Sequence, residues 1–169
     1  VLYTRARQLA HAEDDPGLID EADLNVAMVL IQMGEARKGE EGLREILLRT
    51  RDRRIGVAAA YNLASSLRKQ GRLDRAMTYA QRALERTEGL DAVDCRAMIH
   101  NLIGNLHLGQ TYLEEALAEY RKALALGATD EGHPHDRGSS MGFYGGYFRD
   151  LDGNKLVAYC LGYKPDADD

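Results

Sequence analysis

Cysteine is scarce in this chain, and the two that occur, Cys95 and Cys160, show no paired spacing. That argues against a disulfide framework and points to a reducing, cytoplasmic compartment. No run of 18 apolar residues is present, so no helical membrane span is expected. The opening stretch "VLYTRARQLAHAEDD" has no apolar signal core and no initiator Met, and it reads as the start of a chain cut from something longer, or processed. Basic residues are not in excess. Residues 1–127 carry 18 Lys and Arg against 19 Asp and Glu, and the remaining 42 carry 4 against 8, for a net charge of −5. A nucleic-acid partner needs a basic surplus that neither half has. The knot Arg49, Arg51, Arg53 and Arg54 sits at a predicted helix end, where it complements the helix dipole. A phosphate-cradling glycine loop is missing, and Ser139 and Ser140 lack the context of a nucleophile elbow.

What remains is a globular composition, 44% apolar and 29% charged, in a length of 169 residues that suits one domain or one domain with an appendage. Three segments align: "VAMVLIQMGEARKGEEGLREILLR" (26–49), "AYNLASSLRKQGRLDRAMTYAQRALER" (60–86) and "HNLIGNLHLGQTYLEEALAEYRKALAL" (100–126). Each holds an apolar helix, a polar break and an amphipathic helix. The small residue that opens the second helix is read as Gly42, Ala76 and Ala116, at intervals of 34 and 40. The pattern predicts helices near 2–13, 19–36, 40–51, 56–70, 73–87, 92–109 and 113–126, stacked as antiparallel pairs.

In the third segment Gly104, Ala116, Tyr120 and Ala123 are spaced 12, 4 and 3 apart. This resembles the tetratricopeptide repeat, in which small residues let helix A and helix B approach and an aromatic fills the gap to the next repeat. The second segment offers Ala64, Ala76, Ala80 and Ala83; the first offers Leu30, Gly42, Ile46 and Arg49. The expected architecture is therefore mainly α: an α-solenoid over 1–126, with a helix B remnant at 1–14 and repeats at 19–51, 56–88 and 92–126. The resemblance implies a non-catalytic interaction module that takes a peptide or a partner protein on the concave wall of its A helices. In that register the wall presents Ala27 and Ile31, then Tyr61, Asn62, Ser65 and Lys69, then Asn101, Asn105 and Leu108. Asn suits an extended peptide because it both donates and accepts. Some members of the family clamp chaperone tails with Lys and Asn. Only Asn62 falls on such a position here, and Ala27, Ile31, Met98 and Leu102 hold the others, so a chaperone-tail clamp is not expected.

After Leu126 the composition changes. "GATDEGHPHDRGSSMG" reads as loop with a short strand, "FYGGYFR" and "KLVAYCL" read as strands, and "DLDGN" between them supplies hairpin turn chemistry. The stretch "ALALGATDEGHP...FYGGYFRDLDGNKLVAYC", within 120–162, resembles the final helix and strands of the glyoxalase/bleomycin-resistance (vicinal oxygen chelate) superfamily. That resemblance implies a module that commonly holds a divalent metal. The strand position that often supplies a Glu ligand is Val157 here, which has no lone pair for a metal. His133 and His135 form a pair without a third ligand, and His100 and His107 read as packing or surface residues. Tyr144, Tyr147 and Tyr159 read as buried aromatics. No metal and no cofactor are expected, and the chain reads as a natural fusion or a fragment. Three placements are open to the hairpin of 127–169: a cap on the solenoid, a filler of its groove, or a pairing element that joins two copies in a homodimer. The competing reading is a small-molecule or dioxygenase-like site made by the tail in such a dimer or with strands supplied from elsewhere.

Overall fold

The computed structural model describes residues 5, 8, 9, 15–127, 129–130, 135–136, 144–149 and 155–160; beyond residue 127 it describes backbone only. The chain divides into two compact units, residues 1–90 and 91–169. The first contains helices α1 (Pro16–Gln32), α2 (Ala36–Arg49), α3 (Arg53–Lys69) and α4 (Leu73–Arg86). The second contains α5 (Val93–Gly109) and α6 (Leu113–Ala125), followed by the strand segments β1 (Thr129–Asp130), β2 (His135–Asp136), β3 (Tyr144–Arg149) and β4 (Lys155–Cys160). Arg5, Gln8 and Leu9 are helical as well.

Local chemistry sets the helix ends. Asp15 caps α1: its carboxylate accepts from the Gly17 and Leu18 amides at 2.8 and 3.3 Å, and Pro16 takes the first helical position. Asp52 caps α3 in the same way, accepting from the Arg54 and Ile55 amides at 2.7 and 3.2 Å. The three A helices α1, α3 and α5 end on one motif. Gly34, Gly71 and Thr111 adopt left-handed backbone with φ of 87°, 73° and 65°. The amide after each reaches back five residues: Glu35 to the Leu30 carbonyl, Arg72 to Leu67 and Tyr112 to His107, at 2.9 to 3.0 Å. Glycine takes this conformation without a Cβ clash, whereas Thr111 carries a β-branched side chain into it.

These turns correct the repeat register. The first helix pair breaks at Gly34, so α1 ends at Gln32 rather than near residue 36, and α2 begins at Ala36 rather than near 40. Five residues past each turn stand Gly39, Ala76 and Ala116, all buried. The small residue that opens helix B in the first repeat is Gly39, not Gly42, and the intervals are 37 and 40. The corrected set is Ala27, Gly39, Leu43 and Ile46, each at 2% exposure or less or otherwise buried. The physical reason is helix approach. A Cβ on Gly39 would stand 2.5 Å from the Ala27 carbonyl oxygen and 2.6 Å from Ile31 Cγ1, whereas one on Gly42 would meet Ala27 Cβ at 3.4 Å.

In unit 1 the core runs through Leu24, Leu43, Ile46, Leu63 and Leu67, with Ala59, Ala60, Ala64, Ala76, Ala80 and Ala83 filling the closest contacts. α1 pairs with α2, α3 with α4, and α3 packs on α2. In unit 2, α5 pairs with α6 around Ile99, Leu102, Ile103, Leu106, Ala116 and Ala123. Burying each large aliphatic side chain contributes about 1.5–3 kcal/mol.

The tail backbone forms antiparallel ladders. β3 is central, with β4 on one edge in the register Tyr147 to Val157, and with β1 and β2 on the other, in the registers Thr129 to Arg149 and His135 to Gly145. β4 runs alongside α5, with Cα atoms within 8 Å. The turn expected at 150–154 lies outside the described residues.

Candidate partner-binding face

α3 places Tyr61, Ser65, Lys69 and Asn62 at about 0°, 40°, 80° and 100° around its axis, so the four fall within about 100° of arc on one side. Tyr61, Asn62 and Ser65 are half-buried and Lys69 is exposed. The Asn62 amide donates to the Ala58 carbonyl at 2.8 Å. That bond fixes the rotamer and leaves the second N–H and the carbonyl oxygen of the side chain for a ligand.

α5 places Asn101, Asn105 and Leu108 on one face too, with a different outcome for each. Asn101 is buried at 8% exposure. Its backbone carbonyl and side-chain oxygen accept from the Asn105 amide at 3.0 and 3.3 Å. The Tyr120 hydroxyl donates to Asn105 Oδ1 at 3.3 Å. These groups form an internal ladder from α5 to α6, and Asn105 and Leu108 keep partial exposure. The two sets of side chains belong to separate units, and each is contiguous on its own helix.

The corrected register adds residues that the sequence reading missed. Asn25 on α1 is the counterpart of Asn62, and Gln32 that of Lys69; both are exposed. Ala27, read as a wall residue, is instead buried in the α1–α2 contact. The signal that finds Asn25 is the turn glycine Gly34, which sets the phase of the first repeat.

Part of the charge on these helices is committed to packing. Glu40 on α2 is buried at 3% exposure, and its carboxylate accepts from Ser66 Oγ at 2.9 Å, from the Gln70 amide and from Arg44 at 2.9 Å, with Arg72 at 3.8 Å. Arg49 bridges back to α1, donating to Asp20 at 2.7 Å and to Asp23 at 2.5 Å. Burial opposes the Arg49 charge, but the two aspartates outweigh it and hold its pKa above the ordinary value. In unit 2, His100 Nδ1 lies 2.7 Å from Glu119 Oε2, and Lys122 donates to Oε1 at 2.5 Å. Burial pushes the Glu119 carboxyl up, yet its bonds to Lys122 and His100 prevail and lower it.

A groove between α1 and α2 lined by Asp23, Val26, Leu30, Lys38, Glu41 and Glu45 holds about 210 Å³, below the roughly 300–1,000 Å³ of ordinary ligand pockets. Among the described residues no three His, Cys, Asp or Glu side chains gather as a metal site, and no helix is long and apolar enough to cross a membrane. Cys95 is free and exposed. His133 and the side chains of His135, Tyr144, Tyr147, Val157 and Tyr159 lie outside the described residues.

Residues 56–129 match the tetratricopeptide repeat family model. Among solved structures, the chain is similar to the crystal structure of BtubC (BKLC) from P. vanneervenii, with 25% identity over 73% of this chain and a TM-score of 0.61. That match covers 52% of the BtubC chain, so this chain spans about half its length. No curated protein matches. Tetratricopeptide repeats generally mediate protein–protein interactions and are generally non-catalytic. The resemblance of 120–162 to the glyoxalase/bleomycin-resistance superfamily finds no support in these comparisons.

Proposed function

We propose that this chain is a non-catalytic interaction module that holds an extended peptide, or an extended segment of a partner protein, against the faces of its A helices. The observation that carries the reading is the stripe Tyr61, Asn62, Ser65 and Lys69 on α3. It is partly open to solvent, with the Asn62 side chain pre-set by its bond to Ala58. A fixed amide with a spare donor and acceptor matches one peptide unit and loses little entropy on binding. On its own unit, α5 presents the partly exposed Asn105 and Leu108, with Asn105 held by Asn101 and Tyr120. Asn25 and Gln32 extend the α3 chemistry on α1. In this reading the tail strands, which run beside α5, are structural and not part of the binding face.

The test is selection of peptides from a random display library on the full chain, followed by fluorescence anisotropy with the enriched sequences. Asn62→Ala and Lys69→Ala are expected to weaken binding about tenfold each, in line with loss of one well-placed polar contact, with the helical circular dichroism unchanged. Enriched peptides that bind both variants as tightly as the parent would place the site elsewhere.

A further inference from the structure

Within unit 1 the structure shows how a helix pair receives the next helix. On α2, Glu40 and Leu47 mark the edge turned to the following pair: Glu40 takes the Ser66 hydroxyl of α3, and the Leu47 carbonyl takes the Arg86 guanidinium of α4 at 3.5 Å. Carried through the corrected register, the same edge of α6 holds Leu117 and Leu124, with Leu113 one turn ahead of Leu117. These three leucines fall within about 40° of arc at 100° per residue. Leu113 is 60% and Leu117 44% exposed, and Leu124 is half-buried. Where it is described, the backbone after α6 is a turn and then strand, and the strand β4 lies beside α5.

We propose that a second copy of this chain covers the stripe, with α6 pairing antiparallel to its counterpart about a two-fold axis between Leu117 and Ala118. The charges of α6 are laid out for that partner. Glu114 and Glu115 stand in its first turn, Lys122 in its last and Arg121 one residue before it. Antiparallel pairing sets Glu114 toward Arg121 at both ends, whereas parallel pairing sets like against like; Glu115 and Lys122 lie about 200° and 180° from Leu113, away from the stripe. Glu114 and Arg121 are exposed and flank the stripe on the same side, about 100° and 80° from Leu113 at 100° per residue. A two-fold axis across two helices brings equal flanks together, so each Glu114 meets the Arg121 of the other copy. Opposite helix dipoles add to the match. One helix face offers less than the roughly 800 Å² per partner of a standard interface, so the dimer is expected to be weak and concentration-dependent.

Sedimentation equilibrium of the full chain from about 5 to 200 µM tests this. The apparent mass is expected to climb toward twice the monomer with concentration. Leu117→Arg is expected to hold it at the monomer with unchanged helical circular dichroism. Glu114→Arg and Arg121→Glu are each expected to weaken association about tenfold. The double variant is expected to restore it, as is an equimolar mixture of the two single variants. A parent chain that stays monomeric at about 200 µM, a dimer indifferent to Leu117→Arg, or a double variant that stays monomeric would each overturn the proposal. A dimer that joined through the tail strands instead would persist in every one of these variants.

Discussion

The ring of Tyr120 on α6 fills the space that a side chain at Gly104 on α5 would need: a Cβ there would stand 2.7 Å from Tyr120 Cδ1 and 3.0 Å from Cζ. The pair is complementary in size, and it sits beside the bond from the Tyr120 hydroxyl to Asn105. Gly104→Ala gains helix propensity of about 1 kcal/mol but forces the ring out of place at a cost of about 1–3 kcal/mol. A net loss of stability in chemical denaturation is expected. In a Tyr120→Ala background the same change is expected to stabilise, because the obstruction is gone and only propensity remains. An equal effect in both backgrounds would mean that the two residues are not coupled.

Gly39 and Gly42 separate the two possible registers of the first repeat. At Gly39 the neighbours are a backbone carbonyl and Ile31, neither of which yields readily. Gly39→Ala is expected to cost about 1–3 kcal/mol. At Gly42 the new methyl would rest in ordinary contact with Ala27 Cβ at 3.4 Å, so Gly42→Ala is expected to be neutral or to stabilise by up to about 1 kcal/mol. Thermal melts of the two variants decide the matter, and the reverse order would restore the register anchored on Gly42.

The same pair shows how far the sequence alone reaches. The second and third repeats are legible because Ala76 and Ala116 each open a run of small or aromatic residues at spacings of four and three, Ala80 and Ala83 in one and Tyr120 and Ala123 in the other. In the first repeat Gly39 and Gly42 compete three residues apart. What discriminates them is the left-handed turn at Gly34, whose φ is a backbone property and not a composition. The error then propagated to the candidate face, moving Ala27 onto it and leaving Asn25 off it. Asn101 and Asn105 look equivalent in the sequence, but the fold buries Asn101 and leaves Asn105 partly exposed with the Tyr120 hydroxyl on its oxygen. The Glu40 network was invisible for another reason: the equivalent positions are Met77 and Leu117, so repetition carries no hint of a buried carboxylate.

That network makes its own prediction. Glu40→Ala strands Ser66, Gln70 and Arg44 beside a cavity, and a loss of about 2–4 kcal/mol is expected from unpaired polar groups in a buried contact. Replacing Glu40 by Met, as at the equivalent Met77, together with Ser66→Ala, removes both sides of the buried hydrogen bond and fills the space. The double variant is expected to be more stable than Glu40→Ala by about 1–2 kcal/mol. Should Glu40→Ala prove as stable as the parent, the carboxylate would be contributing nothing to the α2–α3 contact.

Glu119 ties pH to the α5–α6 pair of unit 2. Its carboxyl is lowered from an ordinary value of 4.5 because the hydrogen bonds and charges of Lys122 and His100 outweigh the cost of burial. A carboxyl lowered in the folded state contributes stability that is fully present above its unfolded pKa and is lost as pH falls through the folded value. The effect is therefore complete near neutrality and fades below about pH 4.5. Glu119→Gln removes the charge and leaves the size, so it is expected to be less stable than the parent at pH 7, by a modest margin since Lys122 is solvent-exposed and screened. The difference between the two proteins is expected to shrink as the pH is lowered through 4.5 and toward 3. Urea denaturation of both at pH 3, 5 and 7 measures it, and a gap that stays constant over that range would show that Glu119 acts through packing and not through its charge.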